Sequence, residues 1–373
     1  MSPQPVLFST LPTASGHHFG RATLNAAASL NALSLEMVDL LAPQLERWAE
    51  DPEIVGVVLD AAGDKAFCAG GDVVALHRSI RETGRGQVPT QAATFFEREY
   101  RLDHRIHTYP KPILCWGHGI VMGGGIGLMA GASHRVVTAR TRLAMPEITI
   151  GLYPDVGGSW FLGRAPGRSG LFLALTGAPL NASDAIFAGL ADIQLRHEDR
   201  GDVVEAIGNG RWTGRQVEDA ARLSHLLEAR SAGVTGPPSP LQSMLGRIDV
   251  VIGHDSLEDI APRLLALAGD ESPWLANAAA AFAKGAPTSA RLAIEMQRRA
   301  KHLSLADVFR LEWQASVGCC MHGDFAEGVR ALLVDKDRSP RWQPATLAEV
   351  DDALVDSLLA PRFGGAHPLA DLR

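Results

Sequence analysis

The sequence predicts an α/β protein whose C-terminal region is mainly helical. Apolar side chains recur at helical spacing in residues 34–50, and residues 54–60 then form a short, continuous apolar run that is typical of a buried strand. The same alternation recurs further along the chain. Beyond about residue 205, β-branched runs are scarce and Ala, Leu and Glu recur at helical spacing. We therefore expect a layered core over residues 1–205 and a helical region over residues 206–373.

The first helix and the first buried strand follow one another directly. Ser34 is suited to cap the helix, because its hydroxyl can accept a hydrogen bond from a first-turn amide. The apolar face of this helix consists of Met37, Leu40, Leu41, Leu45 and Trp48. The strand IVGVVLD, residues 54–60, is rich in β-branched residues, and a second strand is predicted in KPILCWGHG, residues 111–119.

The remaining elements are predicted from the same periodicities. A glycine-rich turn leads into the helix IGLMAGASH and then into the strand RVVTART. Further helices are predicted in DVVEAIGNG, RQVEDAARLSHLLEARS, SLEDIAPRLLALAG, SPWLANAAAAFAKG and SLADVFRLEWQASVGCC. The Pro- and Gly-rich segment GVTGPPSP, residues 233–240, is predicted to be a surface loop.

Composition and charge argue against several classes of protein. The 373 residues include 35 Lys and Arg against 42 Asp and Glu, and the formal net charge of −7 is spread without long runs of one sign. Nucleic-acid binding would need a basic stripe, so no nucleic-acid partner is expected. No long apolar stretch predicts a membrane span, and the N-terminal residues show no basic segment followed by an apolar run. We therefore expect a cytoplasmic protein without a membrane partner.

The four cysteines are too few and too scattered for a disulfide framework. They are Cys68, Cys115, Cys319 and Cys320. The sequence CCMH, residues 319–322, lacks a second pair of ligands, which argues against a zinc site. We expect reduced thiols and no bound metal.

The segment GHGIVMGGGIGLMAG, residues 117–131, contains seven glycines. A glycine inside a helix costs about 0.5–1 kcal/mol relative to alanine, so the cluster needs a reason. One reason is close packing of a helix on a sheet. A second is a phosphate-binding turn, because Gly125, Gly127 and Ala130 match GxGxxA, although the next strand does not end in the acidic residue that would bind a ribose. A third is an oxyanion hole, in which bare N–H groups bind a carbonyl oxygen that becomes negative.

A second glycine turn favours the oxyanion hole. In DKAFCAGGDVVALH, residues 64–77, a short strand leads through Ala69, Gly70 and Gly71 into a helix that begins at Asp72. An oxyanion hole needs two donors, and a glycine amide leaves room for the substrate to approach. Two turns of the same design, each after a buried strand, would supply both donors.

Several stretches of the chain resemble a known family. DKAFCAGGDV and the block HGIVMGGGIGLMAGASHRVVTARTRLAMPEITIGLYPDVGGSWFL are similar to the signature regions of the crotonase superfamily, the enoyl-CoA hydratase and isomerase group. Within that group the chain more closely resembles the 3-hydroxyisobutyryl-CoA hydrolase branch, because PTSARLAIEMQRR and HGDFAEGVRALLVDKDRSPRWQPATLAEV are similar to its C-terminal region. The resemblance extends over nearly the whole chain.

This resemblance implies a spiral of repeated ββα units, followed by helices that often mediate trimers, so a homo-oligomer is expected. It also implies an acyl-CoA thioester substrate and no cofactor beyond the CoA of that substrate. By the same resemblance, the two N–H groups that bind the thioester carbonyl belong to Gly71 and Gly124. The substrate-binding residues that it implies are Lys65, Phe67, Ala69, Gly70 and Glu99. Lys65 and Lys336 are candidates for binding the CoA phosphates, and solvated surface lysines are the alternative.

The carboxylates distinguish the reactions of this group. Enoyl-CoA hydratases use two glutamates; the first of these positions is Gly127 in this chain, and the second is Glu147. Asp155 supplies a different second carboxylate, which is the pattern of the hydrolase branch. Glu147 is expected to act as a general base on water, or to attack directly and form a mixed anhydride, and the sequence leaves both routes open. Asp155 is expected to bind the 3-hydroxyl group of the substrate.

The predicted function is hydrolysis of a 3-hydroxyacyl-CoA thioester, with 3-hydroxyisobutyryl-CoA in valine catabolism as the expected substrate. An enoyl-CoA hydratase or isomerase for a small acyl-CoA is the alternative enzyme, and a noncatalytic acyl-CoA-binding protein is the alternative class. Each acid also has an ordinary structural explanation. Glu147 fits a first-turn helix acid that the helix dipole favours, and Asp155 fits a turn residue that bonds its own backbone.

Overall fold

The computed structural model of the protein describes residues 4–254 and 256–373. These residues form two compact units, each built from three chain segments. The first unit consists of the described residues up to Gly71, Leu102–Leu143 and Leu180–Ser239. The second unit consists of Asp72–Arg101, Ala144–Pro179 and the described residues of Pro240–Arg373.

The β-strands form two sheets. Their bounds are β1 Val6–Pro12, β2 His18–Leu24, β3 Ile54–Ala61, β4 Ala66–Cys68, β5 Ile113–Gly117, β6 Ile120–Met122, β7 His134–Thr138, β8 Arg142–Ala144 and β9 Ile193–Leu195. The larger sheet has the order β1-β2-β3-β5-β7-β9, and the smaller sheet has the order β4-β6-β8. In the larger sheet β1 and β2 pair antiparallel, whereas the other neighbouring strands run parallel.

The strands that the sequence predicts are present. β3 is buried along its whole length, and β5 and β7 lie in the two other predicted strand segments. Continuous apolar strands of this kind are expected where both faces of a parallel sheet are covered. The hairpin of β1 and β2 is not among the predicted elements, and β1 buries only Val6 among its seven residues.

The α-helices are distributed along the chain between and after the strands. Their bounds are α1 Leu35–Glu50, α2 Val73–Thr83, α3 Thr90–His107, α4 Gly124–Ala130, α5 Gly158–Phe161, α6 Ser169–Thr176, α7 Ala182–Phe187, α8 Arg200–Gly208, α9 Gln216–Ser231, α10 Pro240–Ile252, α11 Leu257–Ala266, α12 Pro273–Lys284, α13 Pro287–Ala300, α14 Leu305–His322, α15 Asp324–Val329 and α16 Asp352–Leu359. A short π-helix, Arg330–Val334, follows α15.

The helical predictions are confirmed. α1 begins after Ser34, whose hydroxyl oxygen accepts a hydrogen bond of 3.2 Å from the amide of Met37. The segments predicted as helices beyond residue 205 form α8, α9, α11, α12 and α14, and no strand occurs in the described residues beyond β9. The mainly helical character of the C-terminal region is therefore confirmed.

The hydrophobic core of the first unit lies on the larger sheet. Phe19 of β2, Trp116 of β5 and Val136 of β7 pack in one cluster with apolar residues of α8 and α9. Val203 of α8 and Leu223 of α9 are fully buried in it. Helical residues on both sides of position 205 thus pack on this sheet. The division into a layered core up to residue 205 and a helical region beyond it stays a prediction.

Two further properties concern the cysteines and the length of the helices. Cys68, Cys115, Cys319 and Cys320 are buried, and none of them forms a disulfide bond. Over the residues that the structure describes, the helices include none with the length and the apolar composition needed to span a bilayer.

Candidate active site

The two glycine turns of the first unit follow neighbouring strands. β4 and β6 run parallel, and Cys68 pairs with Val121. The carboxyl ends of parallel neighbouring strands lie at the same edge of a sheet. The turn 69–71 and the turn 123–124 therefore begin next to each other at that edge. Each turn enters a helix, α2 and α4 respectively, as predicted. The side chain of Asp72 caps α2 by accepting a hydrogen bond of 3.1 Å from the amide of Ala75.

Close backbone contacts explain part of the glycine cluster. A Cβ atom on Gly125 would lie 2.3 Å from the carbonyl oxygen of Cys68, and one on Gly119 would lie 2.2 Å from the carbonyl oxygen of Lys65. Main-chain atoms cannot move aside as cheaply as the end of a side chain. Packing is therefore the reason for these two glycines, and it brings the start of α4 against the end of β4.

The amides of Gly71 and Gly124 have no backbone acceptor among the described residues. Gly124 is the first residue of α4, and the first N–H groups of a helix have no partner within it. Gly123, which precedes it, has φ 47°, a left-handed conformation that favours glycine. Two bare N–H groups thus belong to two adjacent turns of one unit.

The predicted substrate-binding residues of the first unit lie on β4 and in the turn after it. Phe67 is fully buried, and its amide donates a hydrogen bond of 2.8 Å to the carbonyl oxygen of His118. Gly70 has φ 111° and accepts a hydrogen bond of 2.8 Å from the amide of Leu33. Ala69 is half-buried, whereas the side chain of Lys65 is exposed.

Glu147 begins a short 3-10 helix, Glu147–Ile150, in the second unit, and it is 4% exposed. In the described part of the chain, its Oε2 has no hydrogen-bond partner. A buried carboxyl oxygen without a partner is uncommon and calls for an explanation. Burial, followed by the charge of Asp155, raises the pKa of Glu147 well above its ordinary value. The apolar neighbours Met145 and Ile148 are buried as well, which removes the carboxyl group of Glu147 from water.

Asp155, which also belongs to the second unit, is 4% exposed and has a buried phenol as its partner. The hydroxyl of Tyr100 donates a hydrogen bond of 2.6 Å to Oδ2 of Asp155. Burial raises the pKa of Asp155 to about 6, and the hydrogen bond from Tyr100 acts in the opposite direction. Glu99, the neighbour of Tyr100 in α3, is 2% exposed.

Asp155 also begins a strained turn. Its carbonyl oxygen accepts a hydrogen bond of 2.6 Å from the amide of Gly158, and the two residues between them have positive φ, 52° at Val156 and 86° at Gly157. This is a type I′ turn, which favours Gly, Asn or Asp at both central positions. A β-branched valine in this conformation costs about 1–3 kcal/mol and requires support from its surroundings. Asp155 is therefore a turn residue through its backbone carbonyl, while its carboxylate accepts a hydrogen bond from Tyr100.

Glu312 of α14 is a further buried acid of the second unit, and no motif in the sequence predicts its role. It is 0% exposed, its Oε2 accepts a hydrogen bond of 2.7 Å from the amide of Gly157, and its Oε1 accepts one of 3.0 Å from the amide of Ser159. Burial raises the pKa of Glu312 to about 8, while the hydrogen bonds from Gly157 and Ser159 act in the opposite direction. The one local signal in the sequence is that this acid lies between Phe309 and Trp313 on the apolar face of its helix.

Comparison with known proteins assigns the family. The family profile described as enoyl-CoA hydratase/isomerase matches residues 19–359. The chain belongs to the enoyl-CoA hydratase/isomerase family. The resemblance to the crotonase superfamily and the spiral α/β fold that it implies are thereby confirmed.

Individual members of the enoyl-CoA hydratase/isomerase family are similar over most of the chain. The protein named 3-hydroxyisobutyryl-CoA hydrolase, mitochondrial, of Gallus gallus is 38% identical over 346 residues, which is 92% of this chain and 86% of the relative. The protein of the same name from Danio rerio is 40% identical over 340 residues, which is 90% of this chain and 86% of the relative. A crystal structure of a carnitinyl-CoA dehydratase from Mycobacterium thermoresistibile is 37% identical, with a TM-score of 0.84 and coverage of 96% of this chain and 97% of that one.

The structure shows where the acids that the resemblance implies lie in this member of the enoyl-CoA hydratase/isomerase family. Gly127, where the resemblance places the first hydratase glutamate, is buried within α4, and α4 contains no acidic residue. Glu147 and Asp155 lie in one unit, close enough for the charge of Asp155 to raise the pKa of Glu147. Lys336, a predicted partner of the CoA phosphates, is exposed and has φ 59°. Among the described residues no cluster of three or more His, Cys, Asp or Glu could hold a metal ion.

Proposed function

We propose that this protein hydrolyses 3-hydroxyacyl-CoA thioesters, with 3-hydroxyisobutyryl-CoA as its substrate, to yield 3-hydroxyisobutyrate and free CoA. The observation that carries the proposal is the pair of buried acids, Glu147 and Asp155, in a chain that has Gly127 at the first hydratase position. The names and the 38–40% identity of the relatives from Gallus gallus and Danio rerio support the same reaction.

In this proposal the amides of Gly71 and Gly124 bind the thioester carbonyl oxygen. Among the described residues they have no backbone acceptor, so both are available as donors. The charge on that oxygen grows in the transition state, and removal of one such donor typically costs about 3–4 kcal/mol. This hydrolysis needs no metal or cofactor besides the CoA that the substrate brings.

Glu147 supplies the attack in this proposal. It either removes a proton from a water molecule that attacks the carbonyl carbon, or attacks with its own oxygen to form a mixed anhydride that water then opens. In both routes the carbon–sulfur bond breaks and CoA leaves as the thiol after it takes up a proton. The unpartnered Oε2 and the raised pKa support this role, since a carboxylate removed from water is a stronger base.

Asp155 reads the 3-hydroxyl group of the acyl chain. We assign Oδ2 to Tyr100, which already donates to it, and Oδ1 to the substrate hydroxyl. A substrate without this hydroxyl would leave a buried carboxylate oxygen unpaired, and sites of this kind discriminate strongly against such analogues. We further assign the acyl-CoA to contacts with Glu99, Lys65, Phe67, Ala69 and Gly70, and the CoA phosphates to Lys65 and Lys336.

Four further expectations remain proposals. A homo-oligomer is proposed from the family resemblance, and size-exclusion chromatography with light scattering tests it. A division between a catalytic core, residues 1–205, and a helical region, residues 206–373, is proposed from the change of sequence pattern near residue 205. A place in valine catabolism follows from the proposed substrate. A cytoplasmic location is also proposed, and because the printed names of the vertebrate relatives say mitochondrial, cell fractionation is its necessary test.

One observation favours a second function. The similar crystal structure from Mycobacterium thermoresistibile is named a carnitinyl-CoA dehydratase, and a dehydratase adds or removes water without breaking the thioester. An enoyl-CoA hydratase or dehydratase therefore remains the alternative. It would change the absorbance of a conjugated enoyl thioester and release no thiol.

The deciding experiment measures thiol release from 3-hydroxyisobutyryl-CoA, 3-hydroxypropionyl-CoA and crotonyl-CoA by the purified protein. We expect rapid release from the two 3-hydroxy substrates and much slower release from crotonyl-CoA, which has no hydroxyl for Asp155 to bind. Enoyl absorbance changes without free thiol would establish the alternative instead. Tight binding of CoA without turnover of any substrate would indicate a noncatalytic binding protein.

A further inference from the structure

The buried side chain of Glu312 binds two backbone amides, one within and one just after the turn that begins at Asp155. The carboxylate oxygens of Glu312 accept hydrogen bonds from the amides of Gly157, at 2.7 Å, and Ser159, at 3.0 Å. These amides follow Asp155 by two and four positions. Because both oxygens of Glu312 are occupied by backbone N–H groups, neither is directed at a substrate.

The turn that Glu312 holds needs this support. Val156 has φ 52° and is 1% exposed, so a buried β-branched residue adopts a left-handed conformation that its side chain disfavours. Strained residues persist where the surrounding structure fixes them, and they are concentrated at functional sites. The residue immediately before this strained valine is Asp155, one of the two proposed site acids.

The helix α14 also supports the carboxylate of Asp155, through Ser316 and Tyr100. Ser316 lies one helical turn after Glu312, and its hydroxyl oxygen is 2.7 Å from the hydroxyl of Tyr100, which donates to Asp155. The hydroxyl of Tyr153 lies 3.0 Å from the hydroxyl oxygen of Ser316 and donates a hydrogen bond of 2.7 Å to the carbonyl oxygen of Glu312. One segment of α14 therefore fixes both the backbone and the carboxylate of Asp155.

We propose that Glu312 is a positioning residue, whose carboxylate holds the turn 155–158 so that Asp155 meets the 3-hydroxyl group of the acyl-CoA substrate. This inference rests on the proposed function. It predicts that loss of the Glu312 contacts impairs the reading of the hydroxyl group more than it impairs thioester hydrolysis itself. A purely structural role would instead lower stability and affect all substrates alike.

The test compares two thioesters that differ in one group, 3-hydroxyisobutyryl-CoA and isobutyryl-CoA. The variant Glu312→Gln keeps the size of the side chain but replaces one acceptor oxygen with an NH₂ group, which cannot accept from a backbone amide. We expect kcat/KM for 3-hydroxyisobutyryl-CoA to fall about tenfold or more, since small misplacements of site groups have effects of this size. The rate with isobutyryl-CoA, which has no hydroxyl for Asp155 to bind, should change little.

Asp219 provides a matched control in the first unit. It is 1% exposed, its Oδ1 accepts a hydrogen bond of 2.8 Å from the amide of Thr213, and its Oδ2 accepts one of 2.8 Å from the amide of Gly214. Asp219→Asn therefore removes the same kind of contact from another turn with a left-handed residue, Gly214 with φ 73°. We expect this variant to lose stability and to keep the ratio of the two kcat/KM values.

A double-mutant cycle connects Glu312 to the strain in the turn. Glycine adopts positive φ without a steric penalty, so a turn with Val156→Gly needs less support from Glu312. The loss of 3-hydroxyisobutyryl-CoA hydrolysis caused by Glu312→Gln should therefore be smaller in the Val156→Gly background than in the wild type. If Glu312→Gln does not fold, Glu312→Asp enters the same assays, because its shorter side chain keeps the carboxyl group but cannot reach both amides.

The outcomes separate this inference from the proposed function. Thiol release by the wild type, a selective loss on the hydroxylated substrate and a non-additive cycle would support Glu312 as a positioning residue. Equal losses on both thioesters, or an unchanged ratio, would overturn it while leaving the hydrolase intact. A wild type that releases no thiol from any thioester would refute the proposed function, and the role of Glu312 in reading the hydroxyl would be refuted with it.

Discussion

The hydroxyl of Tyr100 donates a hydrogen bond of 2.6 Å to Oδ2 of Asp155. Tyr100 is fully buried, and burial together with the charge of Asp155 raises the pKa of its phenol well above the ordinary value, so the hydroxyl keeps its proton and remains a donor. The carboxylate of Asp155 is thus held by a partner that cannot rotate into water. This fixed donor occupies Oδ2 and sets the orientation of Oδ1.

The first prediction concerns this hydrogen bond. In Tyr100→Phe we expect kcat/KM for 3-hydroxyisobutyryl-CoA to fall about tenfold, because a hydrogen bond to a charged group contributes about 1.5–3 kcal/mol and here it orients the group that reads the substrate. Steady-state thiol release measures the effect. Tyr109→Phe is the control, since it removes another buried phenol, which donates at 2.7 Å to the carbonyl oxygen of Leu45. Equal rates for Tyr100→Phe and the wild type would contradict the role assigned to Asp155.

The second prediction concerns Glu147. The substitution Glu147→Gln preserves the shape of the side chain and removes both the base and the nucleophile, so we expect kcat to fall by about 100-fold or more with KM nearly unchanged. The same substitution at Glu295, an acid of α13 that pairs with Arg298 and Arg299, should leave kcat unaltered. A Glu147→Gln variant with full activity would show that another group performs the attack.

The third prediction uses the pH dependence of the rate. Burial and the charge of Asp155 raise the pKa of Glu147, and the group acts as the carboxylate, so kcat should rise with pH through this raised pKa and be lost below it. Asp155 itself is charged above a pKa of about 6, so its effect on Glu147 is present at neutral pH. In Asp155→Asn one cause of the raised pKa is removed, and the rising limb of the kcat profile should move to lower pH.

The residual thiol release of Asp155→Asn, measured across the pH range with isobutyryl-CoA, reports this shift without the 3-hydroxyl contact. The profile of Tyr109→Phe should coincide with that of the wild type. An Asp155→Asn limb at the wild-type position would mean that the charge of Asp155 does not act on Glu147 during the reaction.

The sequence predicts those parts of the molecule whose signal is local. The helix behind Ser34 and the strand Ile54–Ala61 depend on residues close in the chain, and both are present with nearly the expected bounds. The two glycine turns follow strands for the same reason. β1 was missed because it buries only Val6 among its seven residues, so its apolar pattern is too weak to indicate a strand.

The sequence does not predict the contacts of α14 that support the candidate site. Glu312 reaches the amides of Gly157 and Ser159 across 155 and 153 positions of the chain, and no periodicity within α14 indicates that contact. The hydroxyl of Tyr100 likewise reaches Ser316 across 216 positions. Such contacts are determined by how whole elements pack, whereas the acids at 147 and 155 were found because they lie beside recognisable motifs.

The last prediction tests the packing explanation of the glycine cluster. A Cβ atom on Gly125 would lie 2.3 Å from the carbonyl oxygen of Cys68, and a main-chain carbonyl of β4 cannot yield without moving the strand. We expect Gly125→Ala to destabilise the protein by about 1–3 kcal/mol, as overpacking typically does. The shift of the urea unfolding midpoint relative to the wild type measures this loss.

Gly246→Ala is the control, because Gly246 lies within α10 with nothing within 4 Å of the added atom, and alanine there should stabilise the helix by about 0.5–1 kcal/mol. Opposite signs for the two substitutions are required; if both variants are stabilised, the close approach of α4 to β4 is not what demands glycine at 125.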